Sequence, residues 1–258
     1  MSNIRLTYFD TAMVLIEVDG LRFLTDPVLD QAGSSSDYGP IHLEKTTAAA
    51  TSGDQLGRLD AVLLSHDQHG DNLDNAGRAL LSQVPRVLTT PLAASRLGGA
   101  AEGLSDWQSV SIAGAEGSRT TVMAVPAQHG PDGTQDATGP VTGFLITTSA
   151  GKKIYVSGDT ILFKGTEEIA ARCGPVDVAI LHLGRVQVPP LPGATLSMTA
   201  EEATRYAKAL QARKVVPIHF EGWAHFTEGR DAAMRVFGKD EIMQRTVWLE
   251  RGESANFE

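Results

Sequence analysis

Apolar residues recur along this chain in short β-branched runs, and the spacing between runs changes from turn-like to helix-like along it. Residues 4–18 give two such runs. They are followed by Asp19-Gly20 and then "LRFLTDP", so the spacing predicts β-hairpins at the start. Residues 31–57 are rich in Gly, Ser, Thr and Ala and predict a long surface loop. Beyond it the pattern alternates: a strand at "LDAVLLS", a helix over 72–82, a strand at "RVLTT", a short helix over 92–97, and β runs at 109–112 and 121–125.

The second half repeats that order. "VTGFLITT" and "KKIYVSGD" predict strands, 164–172 a helix, "VDVAILHL" a strand, and "MTAEEATRYAKALQA" a helix opened by a capping box of Thr199 and Glu202. "KVVPIHF" then predicts a strand, 231–237 a helix, and "TVWLE" a closing strand. No composition break divides the chain, so residues 1–258 are expected to form one α/β domain of mixed sheets covered by helices.

Bulk properties narrow the partners. A formal charge of -9 disfavours nucleic acid, whose phosphates call for clustered Lys and Arg. The single cysteine, Cys173, excludes an internal disulfide framework and any multi-cysteine metal site, and it reads as a helix-end packing residue. Neither a leader peptide nor an apolar run of about 18 residues is visible. The expectation is a cytoplasmic protein acting on a small molecule, without membrane contact, and with assembly into a homo-oligomer left open.

Four apolar runs end in metal-capable residues: "AVLLSHDQHGD" with His66, His69 and Asp71; "TVMAVPAQHG" with His129; "KIYVSGDT" with Asp159; "KVVPIHF" with His219. Strand ends hold their loops rigidly, so four of them can converge on one point. A lone histidine at such an end is usually solvated, and "SGD" alone is a turn. The conjunction, using four of the chain's seven histidines, points to one or two divalent metals, with zinc the leading candidate and manganese or iron the alternatives.

These motifs, with "MVLIEVDGLRFLTDPVLD" near the start, resemble the metallo-β-lactamase superfamily, and within it the L-ascorbate-6-phosphate-lactonase-like metal-dependent hydrolases. The resemblance runs along nearly the whole chain. It implies a four-layer αββα sandwich of two mixed sheets flanked by helices, with metals at one edge. It also implies that His66, His69 and His129 hold one metal, Asp71 and His219 belong to a second, Asp159 bridges both, and Asp26 supports a ligand. The central motif departs from His-x-His-x-Asp-His: Gln68 is an extra residue between the histidines, and Asn72 stands where the last histidine would be. A neutral amide is a poor replacement, so the second metal is expected to be held weakly, to be a harder ion, or to be absent.

The expected activity is hydrolysis of a small ester, lactone or phosphodiester by a metal-activated water, with Asp71 and His225 as the catalytic side chains. A single-iron oxidoreductase resembling persulfide dioxygenases, and a noncatalytic metal-binding protein, are the alternatives. His182 reads as a buried histidine bonded to backbone, with a pocket residue as the alternative, and His42 receives no role. The loops "GPDGTQDATGP" and "PLPGATLS" are expected to shape access to the site.

Overall fold

A computed structural model describes residues 3–38, 41–189 and 191–258. Met1, Ser2, Gly39, Pro40 and Pro190, which fall within the expected N-terminal segment and two of the expected loops, lie outside the described residues.

The chain opens with the antiparallel strands β1 (Ile4–Asp10), β2 (Met13–Val18) and β3 (Leu21–Thr25). Asp19 and Gly20 join β2 to β3 with φ of 53° and 75°, the left-handed pair that a tight hairpin turn of the strands' own twist requires. A small separate hairpin follows, β4 (Ser35–Tyr38) paired with β5 (Ile41–Glu44). Next come β6 (Ala61–Leu63), α1 (Asn75–Leu80), β7 (Val87–Thr89), α2 (Pro91–Leu97) and β8 (Ala101–Gly103).

The second half builds β9 (Ser109–Ala113), β10 (Arg119–Pro126), the short α3 (Gln135–Thr138), β11 (Thr142–Thr147) and β12 (Lys153–Val156). It continues with α4 (Thr166–Cys173), β13 (Val178–His182), α5 (Ala200–Ala209), β14 (Lys214–Ile218), α6 (Arg230–Phe237) and β15 (Ser254–Phe257).

Among the described residues the strands form two large mixed sheets, ordered β15-β1-β2-β3-β6-β7-β8 and β14-β13-β12-β11-β10-β9. Strand alternation explains how each sheet is buried on both faces. On β2, Val14, Ile16 and Val18 join Phe144, Ile154 and Ile180 in the core between the sheets, while Met13 and Leu15 turn outward toward Leu80 and Leu81 around α1. Tyr206 of α5, Ile169 of α4 and Phe237 of α6 cover the outer face of the second sheet. The result is the expected αββα sandwich.

Three expectations need correction. The loop over 31–57 contains the β4–β5 hairpin, in which Ile41 and Leu43 alternate with His42 and Glu44 over only four residues, paired with the mainly polar strand Ser35–Tyr38. "TVWLE" is no strand: Thr246 makes an isolated bridge to Val215 and Val247 N donates to Val215 O, after which the chain leaves the sheet. The closing strand is β15, which pairs with β1 on the other sheet. The helix expected over 72–82 begins only at Asn75, because Asp74 caps it by accepting a hydrogen bond from Gly77 N at 2.8 Å.

Gly77 also fixes where α1 lies. A Cβ there would stand 1.9 Å from the carbonyl oxygen of Pro27, the residue after Asp26. Gly77→Ala is therefore expected to lower unfolding free energy by about 3 kcal/mol, the upper range for overpacking a close contact, read from the urea midpoint at unchanged slope.

Candidate metal centre

Six strands deliver polar side chains from their C-terminal ends to one seam between the sheets. Asp26 follows β3, His66 follows β6, His129 follows β10, Asp159 follows β12, His182 ends β13 and His219 follows β14. All six are buried. The tight turn after His66 adds His69 and Asp71, with Asn72 N and Leu73 N both donating to His69 O.

The expected ligands fall into two groups, each with its donor atoms within 4.8 Å of one another: His66, His69 and His129; and Asp71, Asp159 and His219. In the first, His69 Nδ1 stands 3.0 Å from His66 Nε2 and 3.1 Å from His129 Nε2. Outer contacts aim two of the rings. His129 Nδ1 donates to Leu196 O at 2.8 Å, and His66 Nδ1 lies 2.9 Å from Ser65 Oγ. Tetrahedral zinc with bonds of about 2.0–2.1 Å separates its nitrogen ligands by roughly 3.3 Å, so three inward nitrogens at this spacing fit such an ion. Burial, with the neighbouring imidazoles, lowers the pKa of His66 well below the usual histidine value and that of His129 to about 3, which keeps both rings neutral as ligands must be.

The second group is electrostatically different. His219 Nε2 lies 3.3 Å from Asp159 Oδ2 and 3.4 Å from Asp71 Oδ2. Burial opposes charge on this ring, but the two carboxylates outweigh it and lift its pKa to about 9. Burial raises Asp159 as well, against the pull of His219, whereas His225 and His219 overcome burial at Asp71 and hold it well below the usual range. His219 Nε2 and Asp159 Oδ2 make no hydrogen bond among the described residues, an orphaned buried pair that a cation between the carboxylates would satisfy.

Surrounding residues explain the unusual motif. Asn72 Nδ2 donates at 3.3–3.4 Å to Asp159 Oδ1, Asp26 Oδ2 and Ser65 Oγ, so the amide that replaces a histidine ties the acidic group to its support. The extra Gln68 points away from the metal groups. Its Nε2 donates to Thr138 O at 3.0 Å and Pro140 O at 2.9 Å, while Arg96 donates to its Oε1 and grips Asp67 with a two-pronged pair. Gln68 is thus a strut between the motif turn and the loop around α3.

His182 departs from its expected role. Its partners are side chains: Ser157 Oγ lies 3.1 Å from Nδ1, and Nε2 donates to Asp26 Oδ2 at 3.3 Å. The support for Asp26 was invisible because β13 and β3 lie far apart in sequence and on different sheets. Asp26 also accepts from Ser65 N at 2.6 Å, and burial pushes its pKa up to about 7 against these hydrogen bonds. His225, whose side chain is 8% exposed, donates to Asp71 Oδ2 at 2.9 Å. His42 pairs with Asp37 on the exposed hairpin, and Cys173 is buried at the end of α4.

A cavity of about 380 Å³ opens over the centre, reached by His69, Asp71, His129 and His225 and otherwise walled mainly by aliphatic side chains.

A family model described as a beta-lactamase superfamily domain matches residues 21–220. The chain is 27% identical over 195 residues to a UPF0173 metal-dependent hydrolase of Pyrococcus abyssi, covering 76% of this chain and 80% of that protein. It is 26% identical to an N-acyl-phosphatidylethanolamine-hydrolyzing phospholipase D of Caenorhabditis elegans, covering 98% of this chain and 75% of that one. Among solved structures, an isothiocyanate hydrolase from Delia radicum gut bacteria superposes with a TM-score of 0.82 at 23% identity, covering 97% and 98% of the two chains.

Asp26 touches no inward-facing imidazole of the trihistidine group, yet it braces Ser65, Asn72 and His182 behind both groups. Asp26→Asn is expected to weaken metal binding about 10–100-fold, as loss of an outer-shell partner does, measured by competition with a chelating indicator.

Proposed function

This chain belongs to the beta-lactamase superfamily, and on that premise we propose that it is a metal-dependent hydrolase of a small molecule. The observation that carries the reading is the pairing of three neutral, inward-facing imidazoles with a buried Asp-Asp-His group beneath one cavity. The names of its relatives and fold neighbours agree with it.

His66, His69 and His129 would hold the first metal, and Asp71, Asp159 and His219 the second. Zinc suits the imidazole group, and the carboxylate-rich group also accepts manganese or iron. A metal held there supplies Lewis acidity and lowers the pKa of a water from 15.7 toward about 7. The protein's own groups then act as follows. Asp71, its carboxyl held ionised by His225 and His219, orients the attacking water by accepting its hydrogen bond. His225 lines the cavity beside Asp71 and is paired with its Oδ2, placed to give a proton to a departing oxygen. Asn72 and Asp26 fix the direction of Asp159 and of Ser65, the residue before His66. The substrate classes compatible with this set are an ester, a lactone or a phosphodiester.

His129→Ala removes one of three nitrogens and leaves the other two with an incomplete set. It is expected to abolish hydrolysis and to remove the metal of the trihistidine group together, followed by metal analysis and turnover of the same samples. Full turnover in a variant stripped of metal would overturn the reading.

A further inference from the structure

The cavity over the metal centre is not walled by the main core. Val186, Val188 and Leu196 form a small buried cluster of their own, with Ile41 and Leu191 packed against it. Ile41 and Leu43 come from the β4–β5 hairpin, the others from the loop that leaves β13. The remaining wall is Ala137 and Thr138 at α3, held to the metal motif by Gln68. Among the described residues that line this space there is no lysine or arginine, and the ionisable groups are all at the floor.

Both segments turn aliphatic side chains over the site, which a polar substrate would not require, and the 186–196 loop also holds His129 through Leu196 O. A charged group distant from the reacting bond would lose its water and gain no partner. A small uncharged substrate with an apolar body would instead bury that body and present its electrophilic carbon to the floor. At about 380 Å³ the cavity lies at the small end of the roughly 300–1,000 Å³ typical of ligand pockets.

We infer that the substrate is a neutral carboxylic ester or lactone whose acyl part is a compact apolar group, seated between the β4–β5 hairpin and the 186–196 loop. This rests on the hydrolase reading above. In the reaction, the oxygen of water bonds to the acyl carbon and the bond from that carbon to the alkoxy oxygen breaks. One proton of the water goes to the departing alcohol, and the other is released from the acid product. A phosphorylated lactone, the substrate implied by the lactonase-like subgroup, would place a dianion against this wall and is disfavoured.

The test uses zinc- or manganese-loaded protein in a pH-stat with ethyl acetate, ethyl butyrate, ethyl hexanoate and monoethyl succinate, in which a carboxylate replaces the terminal methyl of ethyl butyrate. The lactone δ-hexalactone, long-chain ethyl palmitate in mixed micelles and bis(p-nitrophenyl) phosphate complete the panel. Expected is a rise in kcat/KM of about fourfold per methylene from acetate to hexanoate, the factor equivalent to about 0.8 kcal/mol per buried methylene. Monoethyl succinate should fall at least about a hundredfold below ethyl butyrate. Ile41→Lys and Leu191→Lys, both at partly exposed positions, should each narrow that butyrate-to-succinate ratio by about tenfold, with folding checked by circular dichroism.

Turnover that needs His129 but is flat with chain length, equal for succinate, greatest for palmitate or confined to the phosphodiester would overturn this inference and leave the hydrolase reading standing. Turnover of no panel member, or turnover that survives His129→Ala, would overturn both.

Discussion

Asp71 and Asp159 are buried on either side of one imidazole, and two carboxylates so close to each other repel strongly unless something cationic lies between them. Burial raises the cost of every uncompensated charge, so the seam between the sheets can exist only if this group is neutralised and each oxygen is aimed. In the protein alone His219 does that work by holding a proton that burial would otherwise remove. The same balance favours a divalent cation, which would neutralise both carboxylates and leave the His219 ring neutral, as a ligand must be. The trihistidine group shows the complementary condition: burial makes its rings neutral, which suits them to a metal and to little else.

Much of the nearby backbone serves that arrangement. Asp26 and His219, at the ends of strands on opposite sheets, both have positive φ, 30° and 62°, in a region that side-chain-bearing residues rarely adopt. His219 is held there by its N–H, which donates to Thr11 O at 2.7 Å in the turn between β1 and β2, and by Nδ1, which donates to Leu183 O. Lys45, fully buried, reaches Asp10 at 3.0 Å and Asp74 at 3.6 Å. It joins the residue before Thr11, the cap of α1 and the foot of the β4–β5 hairpin. One cation therefore ties the foot of the hairpin to the turn after β1 and to the cap of α1.

The parts of this design that were legible in the sequence are those written in local patterns. Strand ends carrying His66, His129, Asp159 and His219, the Asp19-Gly20 turn and the Thr199–Glu202 capping box each need only a few adjacent residues to declare themselves. What escaped depends on distant partners. The β4–β5 hairpin carries only one short apolar alternation, Ile41 and Leu43, and gains order from its own backbone pairing and from Lys45. The four residues of β15 are a strand only because β1 offers an open edge. His182 was placed correctly in the interior but assigned the wrong kind of partner, since Asp26 approaches it from the other sheet. Gln68 and Asn72 looked like damage to a motif because their partners, Thr138, Pro140 and Asp159, lie 70–87 residues away.

The two anomalies in the motif turn out to have a common consequence. The amide at position 72 stands where the motif has a metal donor, and its two N–H groups are shared among Asp159 Oδ1, Asp26 Oδ2 and Ser65 Oγ at 3.3–3.4 Å. Inserting Gln68 lengthens the turn, and that length is what lets its amide reach the backbone on either side of Gly139. Gly139 has a φ of 73°, which favours glycine, and a Cβ there would stand 2.4 Å from Gln68 Nε2 and displace the strut. The motif thus gives up one ligand and gains a rigid connection to the wall around α3. Where the floor of a site is set by charge and its wall by apolar packing, such a connection keeps the two in register, and binding energy at the wall can then orient a bond over the floor.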